Sequence, residues 1–155
     1  MPSKNFIESA EEPVRAALTC VSPAPRRILA VDDDETVRQI NTLVLLSAGY
    51  EVDSAPDGAV AWDTLNASSY DLLITDNHMP NLTGVELLRK VRDNNIALPV
   101  IMASGTIPTE TFAQNPWLRP TATLSKPHTL EALLNTVRNV LRALQGGQTH
   151  GVRTR

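Results

Sequence analysis

Residues 27–35 read RILAVDDDE. Arg27 to Val31 is a short apolar run with no polar alternation, the pattern of a strand covered on both faces, as in a parallel sheet. It runs directly into Asp32, Asp33 and Asp34. Asp34 then stands where a helix beginning at Glu35 needs an N-cap acceptor. A buried strand that ends on acids and turns at once into a helix is the first half of a β-α-β unit.

The same alternation continues downstream. Glu35 to Ala48 places Val37, Ile40, Val44 and Ser47 on one helical face and closes at Gly49. Tyr50 to Ala55 reads as a second strand, followed by the turn pair Asp57-Gly58 and a helix carrying Ala61, Trp62 and Leu65. Leu72 to Thr75 is apolar on both faces and ends at Asp76. A helix over residues 84–92 presents Val85, Leu88 and Val91, and a buried strand over 99–103 ends at Ser104-Gly105. After a segment broken by Pro108, Pro116 and Pro120, a weaker strand over 121–125 ends at Lys126-Pro127. The last helix carries a stripe of Leu130, Leu133, Leu134, Val137, Leu141 and Leu144, and Gly146-Gly147 is expected to stop it. Five β-α units of this kind predict an α/β doubly wound parallel sheet with helices on both faces.

Around this core, residues 1–26 read as an N-terminal extension or linker rich in Pro2, Pro13, Pro23 and Pro25. Phe6, Ala10, Val14, Ala17, Leu18 and Val21 recur there at roughly helical spacing, which allows a short helix. The domain proper is expected over 27–145, with 146–155 as a flexible C-terminal tail. The chain of 155 residues has 14 basic and 17 acidic side chains and a formal charge of −3, a poor footprint for direct nucleic-acid binding. At 42% hydrophobic and 20% charged residues it is not of disordered composition. There is no apolar run long enough to span a membrane and no signal-peptide core, and Cys20 is a single cysteine. Those features predict a cytoplasmic protein.

Polar residues concentrate where strands end. In a doubly wound sheet all strand C-termini emerge on one edge, and ligands bind there. The topology therefore gathers Asp32, Asp33, Asp76, Ser104 and Lys126 into one cleft. Two carboxylates at ~4 Å and an effective dielectric of 20 repel by about 4 kcal/mol. A bound dication offsets that cost, and an all-oxygen donor set favours a hard ion such as Mg²⁺. A carboxylate beside Mg²⁺ and a lysine suits phosphoryl transfer, with Asp76 as nucleophile.

The stretches ILAVDDDETVR, TDNHMPNLTGVELLRKVR, VIMASGT and LSKP, with GYEVDSAPDGAVAW between the first two, resemble the signatures of response-regulator receiver domains over residues 27–145. The resemblance implies a flavodoxin-like (βα)5 sheet with strand order 2-1-3-4-5, and a stand-alone, single-domain receiver of two-component signalling, not an enzyme acting on a separate substrate. Asp76 matches the phosphoacceptor, which would take its phosphoryl group from a sensor histidine kinase or histidine phosphotransfer protein. Asp33 and Asp32 match the acidic pair that holds Mg²⁺, joined by Asp76 and by the backbone carbonyl of His78. Ser104 and Lys126 match the hydroxyl and ammonium that contact the phosphoryl group, and Pro127 matches a cis-proline. Phosphorylation would draw Ser104 and Lys126 inward and switch binding of a downstream protein that the sequence does not name; nor does it show the oligomeric state.

The chain departs from that pattern in two places. Three residues before the lysine the family usually has Tyr or Phe, whereas this chain has Thr123, too small to relay the motion of Ser104 through the same cavity. The prolines of residues 106–120 predict a shortened fourth helix, with Trp117-Leu118 packing in its place. Small Gly105 leaves the phosphoryl group open to water, which predicts a short-lived phosphorylated state. Two rival readings exist: a pseudo-receiver that binds partners without phosphorylation, and a haloacid-dehalogenase-like phosphatase with Asp32 as nucleophile and Asp34 as acid-base. The second lacks further acids after Lys126 beyond Glu131.

Overall fold

A computed structural model of the chain describes residues 24–153. The short helix that the spacing allows between Phe6 and Val21, and Cys20, lie outside the described residues. The described residues run β1 (Arg27–Val31), α1 (Glu35–Ser47), β2 (Glu51–Ala55), α2 (Gly58–Ala67), β3 (Leu72–Thr75), α3 (Gly84–Asp93), β4 (Val100–Ser104) and α4 (Thr109–Gln114). A 3-10 turn (Pro116–Leu118), β5 (Ala122–Ser125) and α5 (Leu130–Arg153) complete them. The strands form one five-stranded sheet in the order β2-β1-β3-β4-β5, with every pairing parallel. β1 pairs with both β2 and β3, so the winding direction reverses beside it and opens a crevice at the strand C-termini.

Successive side chains of the central strands point to opposite faces, and the core divides accordingly. Leu29, Val31, Leu73, Val100 and Met102 pack against Ala61 of α2, Leu87, Leu88 and Val91 of α3, and Phe112 of α4. Ile28, Leu72, Ile74, Ile101 and Ala103 pack on the other face against Leu45 of α1 and Leu133, Val137, Val140 and Leu141 of α5. α3 begins with a capping box in which Thr83 and Glu86 satisfy each other's backbone amides.

Three sequence expectations are corrected. α1 turns Asn41 and Leu45 inward and leaves Ile40 exposed together with Leu43 and Leu46. Apolar residues surround this helix, so the pattern alone does not select a face. Along α5 the stripe is buried only in its middle, while Leu130 and Leu144 are exposed. Gly146-Gly147 does not stop that helix, which continues to Arg153. Glycine costs about 1 kcal/mol relative to alanine in a helix interior but adopts the right-handed conformation, so it weakens a helix without breaking it.

The proline-broken segment behaves as expected. Pro108 precedes α4, which lasts only six residues, and Pro116 opens the 3-10 turn. Of the pair expected to pack there, Leu118 is fully buried, whereas Trp117 is 49% exposed under the Arg89 guanidinium, 5.4 Å away.

Candidate functional site

Each site residue is delivered by the end of a strand and tied to a neighbour by an extension of the sheet ladder. The Asp32 amide donates to the carbonyl of Ala55, the Asp76 amide to that of Val31, and the Lys126 amide to that of Ser104. β1, β2 and β3 thus set Asp32 and Asp76 side by side, while β4 and β5 set Ser104 and Lys126 together. Gly84 permits this closeness on the α3 side, because a Cβ there would lie 2.2 Å from the Asp76 carbonyl oxygen.

Asp32, Asp33 and Asp76 offer carboxylate oxygens that all lie within 4.8 Å of one another. Asp32 is buried, Asp33 exposed and Asp76 intermediate. Lys126 Nζ donates to Asp32 Oδ2 at 2.6 Å and to Asp76 Oδ2 at 3.0 Å. The other Asp32 oxygen accepts the Asp34 amide, and Asp76 Oδ1 accepts the amides of Asn77 and His78. The His78 residue itself is exposed beside the cluster. Asp34 caps α1 by accepting the Val37 amide, so its carboxylate serves the helix start, where the phosphatase-like reading needed an acid-base group.

Burial pushes the Asp76 carboxyl upward, but the hydrogen bond and charge of Lys126, aided by Ser104 and the Asn77 amide, outweigh it and hold the group below the usual carboxylate range. Burial likewise pulls the Lys126 ammonium down, and its hydrogen bonds to Asp32 and Asp76 raise it above the ordinary lysine value. Both partners therefore stay charged. Ser104 Oγ is buried and meets no hydrogen-bond acceptor with good geometry among the described residues, although its nearness to Asp76 helps to keep that carboxyl low. Ser104 thus holds a donor in reserve. A buried hydroxyl in that condition is costly unless a ligand oxygen satisfies it.

One ammonium balances one of three carboxylates, which leaves about two negative charges, a fit for a divalent cation. The donors are oxygens, as a hard ion requires. Beyond Lys126 the cleft widens between α1 and α5 into a space of about 520 Å³ lined by Val37, Ile40, Asn41, Pro127 and Leu130. Around Gly105 a Cβ would meet nothing within 4 Å, so the site is open on the β4 side. The Lys126–Pro127 peptide is cis.

The sequence of residues 28–138 matches the response regulator receiver domain. The chain belongs to the response regulator receiver family. Among its relatives, the response regulator receiver protein CpdR of Brucella abortus is 31% identical over 118 residues, which cover 76% of this chain and 98% of that one. Chemotaxis protein CheY of Pseudomonas aeruginosa is 31% identical over 123 residues, 77% of this chain and 99% of the relative. The chain spans only 16% of the length of the Dictyostelium discoideum cyclic-nucleotide phosphodiesterase regA and 7% of sensor protein EvgS of Escherichia coli, which it also matches. Chemotaxis protein CheY4 of Vibrio cholerae superimposes with a TM-score of 0.70 at 34% identity, over 76% of this chain and 99% of that one. The Thermotoga maritima response regulator TrrA, solved in complex with Mg²⁺-BeF, gives 0.65 at 26% identity, over 74% and 98%.

Against this receiver family, two supporting residues escape a reading of strand ends alone. Arg38 donates from Nη1 to the Asp32 carbonyl at 2.9 Å, bracing the acidic loop from the second turn of α1. Asn81 donates to Asp57 at 3.0 Å, bracing the loop after Asp76. Thr123 lies exposed on the edge strand β5. Among the described residues no helix is long and apolar enough to cross a membrane.

Proposed function

We propose that Asp76 accepts a phosphoryl group from a phosphohistidine of a sensor kinase or phosphotransfer protein, in a Mg²⁺-dependent reaction that switches binding of a downstream protein. The observation that carries this reading is the pair of contacts from Lys126 Nζ to Asp32 and Asp76, which keeps Asp76 ionised and poised as a nucleophile. The bond from phosphorus to the donor imidazole nitrogen breaks as the bond to an Asp76 oxygen forms. The electron pair stays with the imidazole, and Asp76 becomes an acyl phosphate.

Asp32, Asp33, Asp76 and the His78 backbone carbonyl would hold the Mg²⁺, which when bound supplies charge neutralisation for the phosphoryl oxygens. Lys126 can release one carboxylate and follow the new charge, since an ammonium offers three donors. Ser104 supplies the donor that lacks an acceptor before phosphorylation. Acquisition of nearly two negative charges and three acceptor oxygens pulls both residues, and with them the loops after β4 and β5. Because Thr123 is too small to act as a swinging aromatic on β5, the output runs through the β4–α4 loop and the 3-10 turn. Such donors place the reaction in the cytoplasm.

Beryllofluoride or acetyl phosphate with Mg²⁺ tests the reading. The wild-type chain should respond in tryptophan fluorescence and incorporate phosphate, whereas Asp76→Asn should do neither. Incorporation that survives in Asp76→Asn, or a wild-type chain inert to both reagents and to phosphorylated histidine kinases, would overturn it.

A further inference from the structure

The loop that follows Asp76 is pinned at both its base and its tip. At the base the Gly84 amide donates to the Asn77 carbonyl at 3.0 Å, and the Val85 amide donates to Asn77 Oδ1 at 3.0 Å. At the tip Asn81 takes up φ 69°, in the left-handed region that asparagine tolerates better than most residues. From there its Nδ2 donates to Asp57 Oδ2 at 3.0 Å. The same Asp57 carboxylate uses Oδ1 to accept the Val60 amide at 2.8 Å and so caps α2. α2 is pressed against this tip closely enough that a Cβ on Gly58 would lie 2.3 Å from the Leu82 carbonyl oxygen.

From this arrangement we infer that Asp57, outside the reaction centre, is a positioning residue: its carboxylate clasps Asn81 and fixes the loop that holds the His78 carbonyl in register with the acidic cluster. The inference rests on the proposed function and adds to it a group that the strand-end pattern does not contain. A metal-binding loop held at base and tip is preorganised, and loosening its tip spreads the ligand over many positions, which weakens the ion more than it alters the chemistry once the ion is bound.

Mn²⁺ binding to the full chain, read as free Mn²⁺ by electron paramagnetic resonance, tests it without reliance on phosphorylation. Asn81→Gly keeps the positive φ free of strain and leaves the charge unchanged, while deleting the clasp. It should raise the Mn²⁺ dissociation constant about threefold to tenfold, the range for one lost hydrogen bond. The exchange Asp57→Asn with Asn81→Asp restores donor, acceptor, cap and net charge with the roles reversed, and should return the constant to within about twofold of wild type. At saturating Mn²⁺ the rate of acetyl phosphate incorporation should be near wild type in both. An Asn81→Gly chain that binds Mn²⁺ as tightly as wild type, or an exchanged pair as weak as Asn81→Gly, overturns the inference. A wild-type chain that binds no Mn²⁺ overturns the proposed function, and this inference with it, before any variant is made.

Discussion

Lys126 Nζ sits 3.0 Å from Asp76 Oδ2, so the ammonium contacts the carboxylate proposed to attack phosphorus. That contact lowers the nucleophile's pKa and gives the equatorial phosphoryl oxygens a charge to move toward. It also competes with a divalent ion for the same carboxylates. Replacement of Lys126 therefore separates the two roles. Lys126→Met should cut the rate of phosphate incorporation from acetyl phosphate by roughly a hundredfold, the usual effect of losing one transition-state donor. Mg²⁺ affinity should hold or tighten, because a cation has left the cluster. Quench-flow incorporation and Mg²⁺ titration check the two halves, and a fall in both would place Lys126 in metal binding itself.

The same pair sets a pH dependence of stability in the absence of divalent ion. Asp76 titrates below its ordinary value of 3.8, so its contribution is present above that value and disappears as pH falls through the lowered one. Lys126 titrates above 10.5, so its contribution is present below that value and is lost as pH rises through the raised one. Urea midpoints of wild type should fall on both flanks. In Asp76→Asn the acid flank should be shallower and the alkaline flank should begin earlier, since Lys126 keeps only Asp32. Parallel curves for the two proteins would show that the contacts do not persist in solution.

How much of this was legible beforehand follows from what each residue depends on. Asp32, Asp33, Asp76, Ser104 and Lys126 could be found because each ends an apolar run, and a parallel sheet sends all such ends to one edge. The order of the strands is not fixed by the five β-α units; it was implied by the resemblance to receiver domains, and the sheet has it. The inward face of α1 could not be read, since Ile40 and Leu45 are equally apolar and only the position of α5 and β2 decides between them. Arg38 and Asp57 were invisible as supports, because their partners, a backbone carbonyl and Asn81, are chosen by tertiary geometry. Gly146-Gly147 misled in the opposite way: a local signal was overridden in a helix already anchored through Leu133, Val137 and Leu141.

Gly105 bears on the lifetime of the acyl phosphate. A Cβ there would meet nothing within 4 Å, so the position has room for a larger residue such as valine. The added methyl groups would stand over the phosphoryl position and exclude the hydrolytic water. The half-life of the phosphorylated chain should lengthen by roughly threefold or more, measured as loss of incorporated phosphate after removal of the donor. An unchanged half-life would mean that water reaches phosphorus from another side.

The shortened fourth helix makes a prediction about stability and output together. Leu118 is fully buried against the α3 face of the sheet, where it does the packing that a longer helix would otherwise perform. Leu118→Ala should cost about 2–5 kcal/mol by the combined loss of transfer energy and the cavity left behind. Trp117 next to it is half exposed and contacts the Arg89 guanidinium, an arrangement worth about 0.5–1 kcal/mol at an exposed site. Trp117→Ala should therefore lower the urea midpoint much less than Leu118→Ala does. If the β4–α4 loop and the 3-10 turn carry the signal, the beryllofluoride response of Trp117 fluorescence should survive in Trp62→Phe and vanish in Trp117→Phe. A response carried by Trp62 instead would move the output to the α2–α3 side of the sheet.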